Sequence, residues 1–177
     1  ILQSPQFLYL DNSSTLHLLS LFFRQNPPSD NMLQELSNAS ADEITRYLLE
    51  DPLLIHTLIS FHEDWLQLFH LDQTTKISDY YSEQFKQDFL LETNLFISDI
   101  LWHKNPTFAS LLLDTTAWVS PSLRDMYLVP QITDWTLMDL GENRPGILSR
   151  GAFLNSHAYA EQTAPVRRGN YILQELL

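Results

Sequence analysis

The sequence contains no cysteine, which excludes disulfides, thiolate metal sites and covalent C-x-x-C-H haem attachment within the chain. The redox compartment is left open by that absence. Glycine is nearly as scarce, four residues in 177, and frequent Leu, Gln and Glu favour helices over a turn-rich all-β fold. Basic groups are few: ten Lys and Arg stand against 22 Asp and Glu, a formal charge of −12. A nucleic-acid binder needs a basic surface to release counterions, so this balance excludes one and disfavours an anionic membrane surface. No run of roughly 18 apolar residues exists, so no transmembrane segment is expected. The phosphate-cradling loops G-x-x-x-x-G-K-[ST] and G-x-G-x-x-G are missing, as is the G-x-S-x-G nucleophile elbow.

Apolar residues, by contrast, are ample. A hydrophobic fraction of 44%, 12% of the chain being aromatic, supports a packed interior and excludes intrinsic disorder. The length fits one domain, or two small lobes sharing a core. The opening ILQSPQFLYL lacks a basic leader region and an initiating Met, so it is not an intact signal peptide. It reads as the middle of an element, and a fragment or processed piece is expected.

The patterning predicts a mainly α fold. TLHLLSLFFRQN (Thr15 to Asn26) is apolar almost all round and predicts a buried helix. Ser29 or Asp30 caps the next short helix, and Ser40 or Asp42 opens DEITRYLLE. Asp51 caps before Pro52, and Leu54, Leu58, Phe61, Trp65 and Leu68 then recur at helical spacing. The longest helix is expected from Ser78 to Asn105, its apolar face formed by Phe85, Phe89, Phe96, Ile100 and Leu101, with Glu83, Gln87, Asp88 and Asn94 elsewhere. Pro106 opens TFASLLLD, and Ser120-Pro121 reads as a cap with proline at the first helical position. From Pro130 the texture changes, with all four glycines and turns expected at Gly141-Glu142 and Pro145-Gly146. The expected organisation is an irregular helical bundle over residues 1–129. An extended, turn-rich arm over 130–177 follows, ending in a C-terminal helix that packs on the bundle.

Few constellations carry chemistry. HEDWL (His62 to Leu66) places Leu where the H-E-x-x-H zinc motif needs its second histidine. His56 and His62 are poorly spaced as a pair on a helix, so no metal site is expected. Adjacent acids such as Glu63/Asp64, Asp42/Glu43 and Glu50/Asp51 diverge by ~100° on a helix and do not converge on a substrate. Trp65, Trp102, Trp118 and Trp135 sit among leucines and read as core. The exception is the C-terminal arm. Residues 144–177 hold four arginines against two glutamates, in a chain otherwise strongly acidic. Arg144, Arg167 and Arg168 lie in glycine- and proline-flanked backbone, where a guanidinium can be held for bidentate pairing with carboxylates or propionates. The plainer reading has them clamp the acidic bundle from within; the other has them meet a ligand or a neighbouring domain.

The segment RPGILSRGAFLNSHAYAEQTAPVRRGNYILQELL resembles a stretch of secreted bacterial proteins of the planctomycete cytochrome-associated type, in tandem domains of unknown function. Their form runs R-x-G-L-L-T and then T-S-P-V-x-R-G-x-W-V-L-E-x-L-L. Arg144, Gly146, Leu148, Thr163, Pro165, Val166, Arg168, Gly169 and Leu173 match; Ala164 replaces the serine and Tyr171 the tryptophan. Upstream, ILQSPQFLYL, LSLFFRQNPPSDNML, FHEDWLQLFHL and WVSPSLRDMY are similar to the family's stretches in the same order, with Arg24, Ser120, Arg124 and Leu128 departing. The resemblance implies a non-catalytic structural or interaction module of a c-type-cytochrome-associated protein, placed in the periplasm or outside the cell. It implies no cofactor within this chain, with any haem in a neighbouring domain or chain. It also implies a protein partner or neighbouring domains, and the chain stops just before the region where the family places its haem. The binding or structural-motif residues carried over are Arg144, Gly146, Thr163, Pro165, Arg168 and Gly169, the last two fixing a turn before the final helix. Gly169 is expected at a backbone angle other residues resist. No catalytic residue is implied. Two alternatives stay open. One is an accessory subunit of a larger redox or energy-converting assembly, touching a cofactor held by another chain. The other is a hydrolase using acidic groups such as Glu92 or Asp99 in a tryptophan-lined cleft.

Overall fold

Local caps set where most of the early helices start. In the computed structural model, which describes residues 12–73 and 81–177, α1 runs Asn12–Arg24, α2 Asp30–Glu35, α3 Ala41–Leu49 and α4 Pro52–Trp65. The expectations for ILQSPQFLYL and for a helix start at Ser78 lie outside the described residues. Ser29 caps α2 by accepting from the Met32 amide at 3.4 Å. Ser40 caps α3 in a capping box, its own N–H donating to Glu43 at 2.8 Å while its hydroxyl accepts from the Glu43 amide. The Ser40 N–H and the Ser40 hydroxyl, each donating to the Glu43 carboxylate at 2.8 Å, hold that carboxyl below the usual carboxylate range. Asp51 accepts from the Leu53 amide at 2.8 Å, leaving Pro52 at the first helical position, where its missing N–H costs nothing.

The chain divides into two units, Ile1–Phe61 and His62–Leu177, rather than at the 129/130 boundary suggested by sequence texture. In the first unit α1 packs on α3, and Leu16, Met32, Leu36, Ile44 and Leu48 form its core. The expectation that α1 is buried all round is corrected: Leu18, Leu21 and Phe22 on it are exposed, Phe22 at 73%.

The second unit is built around α6, Glu83–Ser98, which continues into a π-helical turn over Asp99–His103. Before it, α4 ends at a left-handed Gln67 and the short α5, His70–Gln73, follows. After it come α7 (Phe108–Leu113), β1 (Thr116–Val119), α8 (Arg124–Tyr127), β2 (Thr136–Asp139), a 3₁₀ turn (Ile147–Ser149), α9 (Gly151–Ser156), α10 (Pro165–Tyr171) and a terminal π-helical turn, Ile172–Leu176. The mainly α expectation holds, with one small sheet. β1 and β2 pair antiparallel with Thr116 opposite Asp139 and Val119 opposite Thr136. Ala117 and Val119 face inward and are fully buried, the alternation of a strand with one wet face. That sheet was not expected, and neither was α9. Ser120 does not open a helix at Pro121: its hydroxyl accepts from the Leu123 amide at 3.3 Å, and α8 begins only at Arg124. Leu128, a departure from the resembled pattern at a glycine position, closes α8 in the left-handed region (φ 56°).

The core of this unit joins Leu66, Leu71, Phe89, Phe96, Ile97, Ile100, Val119, Leu123, Ile147, Phe153 and Tyr171. Two glycines make the close approaches. Gly146 (φ +60°, ψ −175°) lies where a Cβ would sit 2.1 Å from the Leu112 carbonyl oxygen, and Gly151 lies where one would sit 2.2 Å from the Phe89 ring. The final helix docks through Tyr171, whose hydroxyl donates to the Trp65 carbonyl at 2.8 Å. Gly169 corrects its expectation. It lies inside α10, outside the left-handed region, with open space around its Cα. Arg168-Gly169 therefore form part of the helix and not a turn ahead of it. None of the four tryptophans is fully buried. Trp102 is exposed, and Trp65 alone of the four packs against this core.

Candidate functional site

Glu92 stands three residues after Phe89 and four before Phe96, so it lies on the apolar stripe of α6. It is fully buried. The Tyr127 hydroxyl, from α8, lies 2.6 Å from Oε1 and 2.7 Å from Oε2 and donates to this carboxylate. The Gly151 amide, at the start of α9, donates to that hydroxyl oxygen at 3.1 Å. Beside them lies Arg150, also fully buried, its Nη1 3.7 Å from Glu92 Oε1. This distance is an ion pair without a hydrogen bond. Backbone carbonyls satisfy the rest of the guanidinium: Nε donates to Gly146 at 3.1 Å, and Nη2 to Arg144 at 3.1 Å and to Asp114 at 3.4 Å. The Phe96 ring covers its face at 4.7 Å. Burial pushes the Glu92 carboxyl up to about 7, against the opposing pull of the Arg150 charge and the Tyr127 hydrogen bond. Burial and the neighbouring Glu92 charge likewise push the Tyr127 phenol up.

A second carboxylate, Asp88, is buried one turn earlier. Its Oδ1 accepts from Gln84 Nε2 at 2.8 Å, and its Oδ2 accepts from the Ser120 hydroxyl at 2.7 Å and from Ser122. Both buried acids are thus held by internal donors. Asp99 is half-buried and paired to Lys104 at 3.0 Å; the same lysine pairs with Asp114 at 3.0 Å, tying the turn after α6 to the approach to β1. Among the described residues no group of three or more His, Asp or Glu could hold a metal ion.

Near this cluster an open groove of about 680 Å³ runs past Tyr81, Phe85, Met126, Leu154, Thr163 and Arg168. Glu92, Tyr127 and Arg150 do not line it.

The six residues carried over from the resemblance fall in two places. Arg144 and Gly146 lie at the buried cluster: the Arg144 guanidinium stands 5.3 Å over the Tyr127 ring, and the carbonyls of both residues accept from Arg150. Thr163, Pro165, Arg168 and Gly169 gather at α10, where Pro165 takes the first helical position and Arg168 Nη2 donates to Thr163 Oγ1. Arg167 donates to the Ala158 carbonyl at 3.3 Å. Among the described residues none of Arg144, Arg167 and Arg168 forms an ion pair. The clamp on the acidic helix is Arg150 instead, a residue the sequence reading passed over. A signal for the pair existed: a lone acid on the stripe of an apolar helix face requires a partner.

A family model described as "Protein of unknown function (DUF1592)" matches residues 10–129, a span that holds Asp88, Glu92 and Tyr127 and stops short of Arg150. No curated protein and no solved structure matches the chain.

Proposed function

The chain belongs to the DUF1592 family, and from that premise we propose that it is a non-catalytic structural and interaction module of a secreted c-type-cytochrome-associated protein. One observation carries this reading: the buried carboxylates are spent on the fold. Glu92 faces Tyr127 and Arg150, Asp88 faces two serines and a glutamine, and neither opens to a cleft. A glycosidase needs two carboxylates about 5–10 Å apart across an open cleft, and Glu92 is closed to solvent. What is offered outward is apolar surface for a partner, with Val166 and Leu173 of the terminal helix exposed. Among the described residues no helix is long and apolar enough to cross a membrane.

The cytochrome context and the periplasmic or extracellular location rest on the resemblance of Arg144, Gly146, Thr163, Pro165, Arg168 and Gly169 to the secreted proteins' motif. Haem then belongs to a neighbouring domain or chain. The test is to purify the native polypeptide bearing this sequence, measure its intact mass, and record the reduced-haem absorbance of the polypeptide and of whatever co-elutes. A periplasmic or secreted species with covalent haem in the same or a co-eluting chain is expected. A haem-free cytosolic species would overturn the context. Polysaccharide hydrolysis lost in Glu92→Gln or Asp99→Asn would overturn the non-catalytic role.

A further inference from the structure

The groove beside the buried cluster has a volume within the range of small-molecule sites, about 300–1,000 Å³. Its lining is unevenly divided. Tyr81, Phe85 and Phe89 give it aromatic surface, and Met126 and Leu154 extend that surface. One cation, Arg168, joins them, and it is the single basic residue among the described lining. Arg168 is held in place: Nη2 donates to Thr163 Oγ1, and Nε is shielded from solvent and meets no acceptor. No carboxylate neutralises it among the described residues, although the chain has 22 Asp and Glu. Asp125, also in the lining, is already engaged by Arg124 at 2.6 Å.

We propose that this groove binds a small amphipathic carboxylate, an acyl or aryl acid, whose carboxylate pairs with Arg168 and whose apolar body lies along Phe85, Phe89 and Met126. A guanidinium fixed by a neutral hydroxyl keeps its charge and its remaining Nη donors for an external acid, and its planar edge matches a carboxylate. The charge count chooses the ligand. Any anion there meets one cation, Arg168, and the two acids of the lining, Asp125 and Glu161; a phosphate dianion is repelled by those acids about twice as strongly as a monoanion, whose single charge Arg168 matches. The aromatic wall selects an apolar body over a sugar or a short polar acid. The site goes beyond the interaction-module reading and stands or falls separately from it.

Isothermal titration of the full chain with phenylbutyrate, its uncharged amide and phenyl phosphate tests the site. Saturable one-to-one binding of phenylbutyrate is expected, with the amide and the phosphate each weaker by at least about tenfold, equivalent to ~1.4 kcal/mol. Arg168→Gln should erase the preference for the acid over the amide. Ala160→Trp, at an exposed position on the groove wall, should remove binding of all three probes while leaving the melting temperature in place. Equal affinity for acid and amide overturns the proposal. So does undiminished binding in Ala160→Trp, or no saturable binding of phenylbutyrate to the wild-type chain at millimolar concentration.

Discussion

The two units of this chain build their interiors by different means. The first, up to Phe61, closes over five aliphatic or thioether side chains, Leu16, Met32, Leu36, Ile44 and Leu48, and among the described residues no ion pair lies fully buried there. Its helices are placed by neighbours in sequence: Ser29 for α2, the Ser40–Glu43 box for α3, and Asp51 for α4. The second unit, from His62 on, buries Asp88, Glu92, Arg150 and His157 within a much larger apolar core. Its polar groups find partners far along the chain, as when Tyr127 reaches back 35 residues to Glu92. A core of the first kind tolerates any apolar set of suitable volume. A core of the second kind requires every member, because a buried charge left alone is costly.

The sharpest way to break this contrast is Arg150→Ala. Removing one member of a buried pair costs about 3–5 kcal/mol, so amide exchange should accelerate across α6, α8 and α9 while α2 and α3 keep their protection. Equal acceleration in both units would show them to be one cooperative body and would dissolve the comparison.

Acidity sharpens it next. The folded Glu92 carboxyl titrates near 7 against a reference of 4.5, so between those values the native state holds more protons than the unfolded one, and stability falls as pH rises. At about 1.4 kcal/mol per decade the loss comes to about 3 kcal/mol between pH 4.5 and 7, with no further change above. Glu92→Gln should flatten that slope. Subtracting the variant's denaturation curve from the wild-type curve isolates Glu92 from the other carboxyls. A difference that stays constant with pH would mean that Glu92 is ionised throughout. Glu43 in the first unit is held low, and its contribution should stay level over the same window.

Smaller effects test the local devices. Ser40→Ala removes one half of the capping box and should cost about 1 kcal/mol, read as faster exchange confined to residues 41–49. Gly169→Ala should stabilise by about 0.5–1 kcal/mol, since the residue lies within a helix with nothing near its Cα. A lowered melting temperature in that variant would point to a need for glycine that the backbone does not display.

Legibility in the sequence follows the same division. The caps at Ser29, Ser40 and Asp51 and the turns at Gly141 and Gly146 were readable because each signal and its partner lie within a few residues. The long apolar helix around Phe89 and Phe96 was readable from its period. The pairing of Thr116–Val119 with Thr136–Asp139 was not, because a four-residue strand is defined by a partner elsewhere in the chain. Helix α9 has six residues and opens with glycine, too short for a period to show. The sequence pattern sets Asp88 off the apolar face, whereas the side chain is buried. Its burial depends on Ser120, Ser122 and Gln84, and only the first two of those lie far away in sequence. Arg150 does not stand out in sequence beside the other arginines, although its carbonyl partners at Arg144 and Gly146 lie within one short loop.

The pairing of Glu92 with Arg150 bears on which piece of this chain can fold as a unit. The family-model match ends at residue 129, yet the counter-charge for its buried acid is supplied from position 150. A chain severed after Val129 would keep Glu92 and Tyr127 and lose the guanidinium, along with Ile147 and Phe153 of the same core. Recombination that moved residues 10–129 alone would therefore deliver a half-finished body. A piece that folds with its buried acid paired has to run beyond the matched span, at least through the loop that carries Arg150.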